Sequence, residues 1–252
     1  MTDKIKIYCI NLKRAVERRA QAEKEFQRIG IRYEFIEAVD GKDLTDDEIA
    51  RTGYNEEAAK RLRNIYKIRG LSRLEIACSL SHLKVYNKIV RDNAEVALIA
   101  EDDAFFNFDA AYLDRILAAL PDKWEICFLF HRGLCKRINH YICRFQSFPG
   151  SAVCYLLSTK GAEKLLELAK PLRLAPDILI GRSTFSGFLN GYGVFPVRVI
   201  HADNNFSFLL GSSYKKRFLK DIYHFWSNHF LWVRRVRFFL SKEKKYYMKD
   251  LH

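Results

Sequence analysis

The chain has 252 residues, of which 49% are hydrophobic and 29% are charged, and its formal net charge is +13. A chain of this length and composition can bury a sizeable core, which excludes an intrinsically disordered protein. No apolar run reaches the length of a transmembrane helix, and we see no signal segment before the first predicted strand.

The positive charge is concentrated near the C-terminal end. Residues 211–252 contain eleven Lys and Arg against three Asp and Glu, so +8 of the +13 lies there. We therefore predict two units with separate functions, a nearly balanced domain at residues 1–213 and a basic, aromatic tail at residues 214–252.

The six cysteines mostly lie within apolar runs and lack the spacing typical of zinc sites. This pattern predicts small buried thiols in a protein of a reducing compartment.

The first forty residues predict a strand–helix–strand unit. Ile5–Ile10 is an apolar-rich strand, Arg14–Ile29 suits an amphipathic helix that ends at Gly30, and Arg32–Val39 is a second strand. This order favours an α/β fold with a parallel sheet. The unit lacks the glycine-rich turn of a dinucleotide site or a phosphate loop.

A long helix is predicted over Leu71–Val90. Ser72 suits its N-cap and Glu75 its third position, which together form a capping box. His82 lies on this helix, and a single histidine in such a place is more often structural than catalytic.

The octet Val96–Asp103 is an apolar run that ends in three adjacent carboxylates. Such a run predicts a buried strand that emerges at the edge of a sheet. Adjacent carboxylates repel one another, and a divalent cation such as Mg²⁺ or Mn²⁺ resolves that conflict because hard cations take oxygen ligands. The octet alone is equally compatible with a solvated turn after a strand.

The second half of the chain alternates further apolar runs with helical segments. The predicted strands are Trp124–Phe130, Ser151–Leu157 and a last strand within Gly191–Ile200, and the predicted helices are Tyr112–Leu120 and Thr159–Lys170. Pro176 opens a short apolar stretch, and His201 follows the last strand.

Taken in order, several motifs resemble glycosyltransferase family 25, which includes lipooligosaccharide galactosyltransferases of Gram-negative bacteria and collagen galactosyltransferases. The motifs are Ile10-Asn11-Leu12 with Arg18-Arg19, Ala38–Gly41, Leu71-Ser72 with Glu75, Cys78–His82, Ala97–Asp103, Tyr155–Ser158 with Gly161-Ala162, Pro176-Asp177, and His201 before Asn205–Ser212. Their order and spacing over residues 5 to 213 are more specific than any one motif. The family's acidic motif is often Asp-X-Asp, and this chain has Glu101 at the first position.

The resemblance implies a glycosyltransferase-A type domain, a Rossmann-like α/β fold with a mixed, mainly parallel sheet. It also implies inverting transfer of a hexose from a UDP-sugar, with UDP-galactose expected, to the lipooligosaccharide or lipopolysaccharide core. Mn²⁺ (or Mg²⁺) would neutralise the departing diphosphate as a Lewis acid. The expected metal ligands are Glu101, Asp103 and His201, although a structural role for His201 is the alternative.

An inverting transferase needs a general base for the acceptor hydroxyl. Asp177 matches the family's acidic position in the second half of the chain, and a helix cap is its alternative role. The ends of the first two strands are where an open α/β sheet binds its ligand. The expected nucleotide-sugar-binding residues are Asn11, Leu12, Arg18, Arg19, Asp40, Ser79, His82 and Asp102.

In the tail, apolar residues recur on one helical face from Ile222 to Leu240, and Arg234 and Arg235 lie away from it. This pattern suits a helix on an anionic membrane surface, with packing against the domain as the alternative. Since the implied acceptor is made at the inner membrane, we expect a cytoplasmic protein peripheral to that membrane, with no nucleic-acid partner.

Two alternative functions remain open from the sequence. One is a transferase of the same fold that uses UDP-glucose or a UDP-N-acetylhexosamine. The other is a non-catalytic protein that binds carbohydrate or, through its basic tail, nucleic acid.

Overall fold

The computed structural model of the protein describes residues 5–60 and 70–201. The basic tail, the domain boundary expected at residue 213 and the segment 61–69 lie outside the described residues, so the predictions for the tail stay predictions.

The strands of the described part are β1 (Ile5–Asn11), β2 (Glu34–Glu37), β3 (Val96–Glu101), β4 (Ala104–Phe106), β5 (Ile126–Phe128), β6 (Cys135–Arg137), β7 (Ile142–Phe145), β8 (Cys154–Ser158), β9 (Gly191–Val194) and β10 (Val199–His201). The helices are α1 (Val16–Ile29), α2 (Asp46–Arg51), α3 (Arg73–Arg91), α4 (Ala110–Ala119), α5 (Thr159–Leu168) and α6 (Pro176–Phe185). Within these ranges, no helix is both long and apolar enough to cross a membrane.

Eight strands form one sheet in the order β2-β1-β3-β8-β5-β9-β7-β6. The pairings β1–β2, β1–β3 and β5–β9 are parallel, and the other four are antiparallel. Six of the eight strands therefore point in one direction, and only β8 and β7 run against them. The predicted α/β fold with a mixed, mainly parallel sheet is confirmed.

The predicted strand–helix–strand unit is present. β1 pairs with β2 on one side and β3 on the other, and all of its residues except Lys6 are buried, as expected of a strand inside a sheet. Helix α1 ends at Gly30, which adopts a left-handed φ of 71° that a residue without a Cβ accepts at low cost.

The core has two parts, because alternate residues of each strand face opposite sides of the sheet. On one side, Cys9 and Leu98 pack with Phe26 of α1 and Leu113 of α4. On the other side, Tyr8 and Ile99 pack with residues of α3, α5 and α6. The result is a three-layer sandwich in which the sheet lies between two groups of helices.

Helix α3 begins with the predicted capping box. Ser72 accepts a hydrogen bond from the Glu75 amide, and the Glu75 side chain accepts one from the Ser72 amide. The helix has many buried residues over its length. It is therefore fixed at its start by the cap and along its length by the core, which matters because it carries His82 and Cys78.

A separate two-stranded ribbon was not predicted as such. β4 and β10 pair antiparallel, with Ala104 opposite His201. β4 follows the acidic residues directly, so this ribbon brings the last described residue of the chain back to the end of β3.

Candidate active site

The centre of the candidate site is the edge of the sheet where β1 and β3 end side by side. Because the two strands are parallel and Ile10 pairs with Glu101, Asn11 lies beside the acidic residues that follow. The Asn11 amide Nδ2 donates to Asp102 Oδ2 at 2.7 Å and also contacts the Ala15 carbonyl at 3.3 Å. Both Asn11 and Asp102 are buried. The amide thus supplies a partner to a carboxylate that water scarcely reaches.

Arg18, in the first turns of α1, is placed over the same edge. Its guanidinium forms ion pairs with Asp102 Oδ1 and Asp103 Oδ2. One positive charge is therefore shared between two carboxylates, which reduces the repulsion between them.

Asp103 has a second partner from the far end of the chain. The β4–β10 ribbon places His201 Nε2 3.3 Å from Asp103 Oδ2. The other oxygen, Asp103 Oδ1, is buried and has no hydrogen-bond partner within the described part of the chain. A buried carboxylate oxygen without a donor is costly, so it is a natural position for a cation ligand.

Glu101 is held from the opposite face of the sheet. His82 of α3 places Nε2 3.3 Å from Glu101 Oε1, and its Nδ1 lies 2.8 Å from the Tyr155 hydroxyl of β8. The Tyr155 hydroxyl is in turn 2.8 Å from that of Tyr86. His82, Tyr86 and Tyr155 are almost completely buried, so this chain of hydrogen bonds forms inside the core.

The pKa values of the three carboxylates are shifted in different directions. Burial opposes ionisation of Glu101, but the hydrogen bond and charge of His82, with His201 and Arg18, outweigh it and lower its pKa. Burial raises the pKa of Asp102 and of Asp103, and the neighbouring carboxylates add to that effect against the charge of Arg18. An additional positive charge at this edge would favour the ionised form of all three.

Asp177 lies in the first turn of α6. The N-cap of this helix is Ala175, which makes no side-chain cap, and Pro176 is the first helical residue. Asp177 is therefore not the N-cap that its alternative role required. Burial raises its pKa, and the charges of Glu101 and Glu75 act in the same direction, so Asp177 lies within electrostatic range of the acidic edge.

Cys78 is a residue of this site that the sequence analysis did not select. Its sulfur, a ring nitrogen of His82 and an oxygen of Glu101 all lie within 4.8 Å of one another. Although part of the Cys78 residue is exposed, desolvation by the surrounding protein raises the pKa of the thiol to about 12, and the charges of Glu101, Asp177 and Asp103 act in the same direction. The spacing of Cys78 and His82, one helical turn apart, was the signal that could have paired them.

The predicted metal ligands lie at one edge of the sheet. Asp103 contacts His201, and Glu101 contacts His82 and has the Cys78 sulfur within 4.8 Å. The carboxylate and imidazole groups are donor types that Mn²⁺ and Mg²⁺ accept, and Asp103 Oδ1 has no hydrogen-bond partner among the described residues. These residues fit a divalent cation.

Three other predicted residues, Leu12, Asp40 and Arg19, lie on or beside the elements that form this edge. Leu12 follows β1, and Asp40 follows β2. A 2.9 Å hydrogen bond from the Ala38 amide to the Asn11 carbonyl oxygen joins the ends of these two strands. Asp40 forms an ion pair with Arg14, and Arg19 lies 3.9 Å over the Phe35 ring.

Ser79 donates its hydrogen bonds to backbone carbonyl oxygens. Its hydroxyl contacts the carbonyl oxygens of Glu75 at 2.8 Å and Leu174 at 3.1 Å. These contacts tie α3 to the segment before α6, so they position the elements that carry His82 and Asp177.

A sequence profile described as glycosyltransferase family 25 (LPS biosynthesis protein) matches residues 4–141, more than half of the chain. The chain belongs to glycosyltransferase family 25. This confirms the resemblance on which the predicted site residues were chosen, and the match includes α1, α3 and the acidic end of β3.

Similar proteins come from animals. A glycosyltransferase 25 family member of Drosophila melanogaster is 38% identical over 175 residues, which cover 66% of this chain and 28% of that protein. Procollagen galactosyltransferase 2 of Homo sapiens is 33% identical over 171 residues, covering 64% of this chain and 27% of its own. The chain therefore spans less than a third of the length of these relatives.

Among solved structures, a Drosophila galactosyltransferase 7 in complex with manganese, UDP-Gal and xylobiose aligns over 78% of this chain and 70% of its own. Its TM-score is 0.42 and its identity 8%. That likeness is too low to establish shared ligands.

The hydrogen bond from His82 gives the first prediction. His82→Phe keeps a ring in the core but removes the donor to Glu101, so we expect the free energy of unfolding at neutral pH to fall by about 1–3 kcal/mol. Because the pKa of Glu101 is lowered in the folded state, the stability that the ionised Glu101 contributes is fully present above its ordinary pKa. It is lost as the pH falls through the lowered value. Urea unfolding at a series of pH values measures both effects.

His140→Phe is the matched control, because His140 is exposed and its ring packs edge-on against the Tyr141 ring. It should change stability little at any pH. A His82→Phe protein as stable as the wild type at neutral pH would show that His82 does not stabilise Glu101.

Proposed function

We propose that the protein is a metal-dependent, inverting galactosyltransferase that uses UDP-galactose. The observation that carries this proposal is the group of Glu101, Asp102 and Asp103 at the end of β3, in a chain of glycosyltransferase family 25. Asp103 Oδ1 in this group is buried and has no hydrogen-bond partner in the part of the chain that the structure describes. The names of the human and mouse relatives, both procollagen galactosyltransferases, support galactose as the transferred sugar.

Glu101, Asp103 and His201 would hold Mn²⁺ or Mg²⁺, with the thiol of Cys78 close to Glu101. The bound ion supplies Lewis-acid neutralisation of the departing diphosphate. His82 supports this role because its hydrogen bond keeps Glu101 ionised and fixes the direction of its carboxylate. Asp103 keeps one oxygen available to the ion while the other contacts Arg18 and His201.

Arg18 would then contribute to binding of the donor. Its guanidinium already lies over the carboxyl edge of the sheet, where an open α/β sheet binds its ligand. A planar guanidinium matches the geometry of phosphate oxygens, so Arg18 can exchange its carboxylate partners for the diphosphate. Asn11, Leu12 and Asp40, at the ends of β1 and β2, would contact the nucleoside. Arg19, Ser79, His82 and Asp102 would line or support the same region.

Asp177 would act as the general base. Its carboxylate takes the proton from the acceptor hydroxyl while that oxygen forms a bond to the anomeric carbon and the bond from that carbon to the diphosphate breaks. The raised pKa makes Asp177 a better proton acceptor than an ordinary Asp, provided that the pH keeps it ionised. The products are an inverted glycoside and UDP.

The proposed acceptor is a sugar of the lipooligosaccharide or lipopolysaccharide core. The family description as an LPS biosynthesis protein supports this acceptor, whereas the names of the animal relatives point to procollagen for those proteins. An acceptor panel therefore includes both core oligosaccharides and collagen peptides.

The donor and the metal are tested together. The protein is incubated with UDP-galactose, UDP-glucose or UDP-N-acetylglucosamine, with and without Mn²⁺, and release of UDP is measured. We expect release with UDP-galactose, loss of activity with a chelator and recovery with Mn²⁺. Asp103→Asn removes a metal ligand and should lower the metal-dependent rate at least about tenfold.

Asp47→Asn is the control for this substitution, because Asp47 is exposed in α2. No UDP release from any donor and acceptor pair would contradict the enzyme assignment. A preference for UDP-glucose or UDP-N-acetylglucosamine would assign the alternative donor, and full metal-dependent activity of Asp103→Asn would contradict the ligand assignment.

The general base gives a pH prediction. Activity requires ionised Asp177, so kcat/KM should fall as the pH drops through its pKa, and this acid limb should lie above the ordinary value of 3.8. Asp177→Asn should lower kcat by about 10²–10⁴-fold and remove that limb. Rates of the wild type and of Asp177→Asn across pH check this, with exposed Asp122→Asn as the control. An unchanged acid limb in Asp177→Asn would place the base elsewhere.

We also propose that the basic tail attaches the protein to the cytoplasmic face of the inner membrane. The support is the sequence pattern of an apolar face with Arg234 and Arg235 away from it. Replacing both arginines with glutamine should weaken binding to vesicles that contain anionic lipid, and added salt should weaken wild-type binding in the same way. Vesicle flotation measures this. Equal binding of wild type and variant would contradict the proposal.

A further inference from the structure

We infer that His131, Cys135 and Cys143 form a zinc-binding site at the edge of the sheet away from β1 and β2. The ring nitrogen of His131 and the two sulfurs all lie within 4.8 Å of one another. Cys143 Sγ is 4.0 Å from His131 Nε2. These separations are close to those between ligands that share one tetrahedral ion with bonds of about 2.0–2.3 Å.

The hairpin of β6 and β7 brings the two cysteines together. Cys143 pairs with Arg137 and Cys135 with Phe145, so the cysteines are diagonal neighbours across the two strands. His131 precedes the hairpin by three intervening residues, and seven residues separate the cysteines. This spacing matches no familiar finger pattern, which is why the sequence did not predict zinc.

The His131 ring is held in place from several sides. It packs edge-on against Phe145, with ring centroids 5.0 Å apart and planes at 85°. A Cβ on Gly193 would lie 2.9 Å from His131 Nε2, so the absence of a side chain at Gly193 makes room for the ring. The ligand is therefore already oriented, which reduces the entropic cost of binding an ion.

Nε2 is the nitrogen of His131 that faces the cluster. It lies 4.0 Å from Cys143 Sγ and 3.0 Å from the Val194 carbonyl oxygen. Binding an ion through Nε2 would exchange that carbonyl contact for a metal bond. Burial lowers the pKa of His131, which favours the neutral form of the ring that binds a metal.

The charges around the cysteines favour thiolates when a cation is present. Residues 131–145 contain Arg132, Lys136, Arg137 and Arg144 and no Asp or Glu. Burial raises the pKa of the Cys143 thiol, so without an ion the proton stays on sulfur. Binding of Zn²⁺ would release one proton from each thiol to solvent and give a site in which two thiolates balance the ion.

Zinc is the metal that suits this donor set. Two thiolates and one imidazole are soft and borderline ligands that select Zn²⁺ over Mg²⁺ or Mn²⁺. Cys135 is only partly buried, so water can take the fourth position from that side. The carboxylate site at the end of β3 offers mainly oxygen ligands, so the two sites would hold different ions.

The test is the zinc content of the full-length protein, purified under reducing conditions without chelators and measured by elemental mass spectrometry. We expect about one zinc per chain. Cys143→Ser and Cys135→Ser should lose it, and Cys127→Ser, which alters a buried cysteine outside the cluster, should keep it. Asp103→Asn should also keep it, which separates this site from the carboxylate site and from the proposed function.

Two further measurements complete the test, and the first uses only the wild-type protein. Zinc should protect Cys135 of the wild type from alkylation, and a chelator should restore its reactivity. Cobalt substituted for zinc should show a thiolate-to-cobalt charge-transfer band that is lost or markedly weaker in Cys143→Ser, and its visible d–d bands should change in His131→Gln. Absence of zinc, or a Cys135–Cys143 disulfide in the reduced preparation, would overturn the inference, as would zinc that survives in Cys143→Ser.

Discussion

The arrangement of the whole site depends on the electrostatic cost of three adjacent carboxylates at the end of one buried strand. Glu101, Asp102 and Asp103 cannot all ionise in a partly buried place unless each has a compensating partner. Each does, and each principal partner comes from a different element. Glu101 has His82 from α3, Asp102 has Asn11 from β1, and Asp103 has His201 from β10. Arg18 from α1 serves the last two together.

The order of the strands in the sheet brings these partners within reach of one another. β1 must lie beside β3 for Asn11 to reach Asp102, and β8 must lie on the other side for Tyr155 to reach His82. Because β8 is antiparallel to β3, Tyr155 pairs with Ile99, two residues before Glu101. The position of the histidine that holds Glu101 is thus fixed from the sheet as well as from its own helix.

The sequence predicted those parts of the site that depend on local pattern. Apolar runs and capping residues predicted β1, α1, α3 and β3. The acidic end of β3 was predicted from the contiguous sequence Val96–Asp103 alone. The β4–β10 ribbon could not be predicted in this way, because three-residue strands carry little pattern and their pairing joins residues far apart in the chain.

Side-chain partners were also beyond the sequence. Asp177 was considered as a helix cap. Whether a residue is the N-cap depends on the exact first residue of the helix, which a sequence pattern fixes only to within one or two positions. Arg19 and Ser79 were chosen as ligand-binding residues from a motif, and the motif gave no indication of their contacts within the protein. Arg19 contacts Glu23 and Phe35, and Ser79 contacts Glu75 and Leu174. Cys78 was taken as a small buried hydrophobe, although it is exposed and beside Glu101.

The long sequence separation of the contacts at the site has a consequence for folding. The Asn11–Asp102 hydrogen bond joins residues 91 positions apart, and the His82–Tyr155 contact joins residues 73 apart. Neither can form in an isolated segment, because each requires a strand pairing that closes a long loop first. The acidic edge therefore acquires its geometry only when the central sheet is complete. A partly folded chain would contain the helices and the hydrophobic runs but no organised carboxylates.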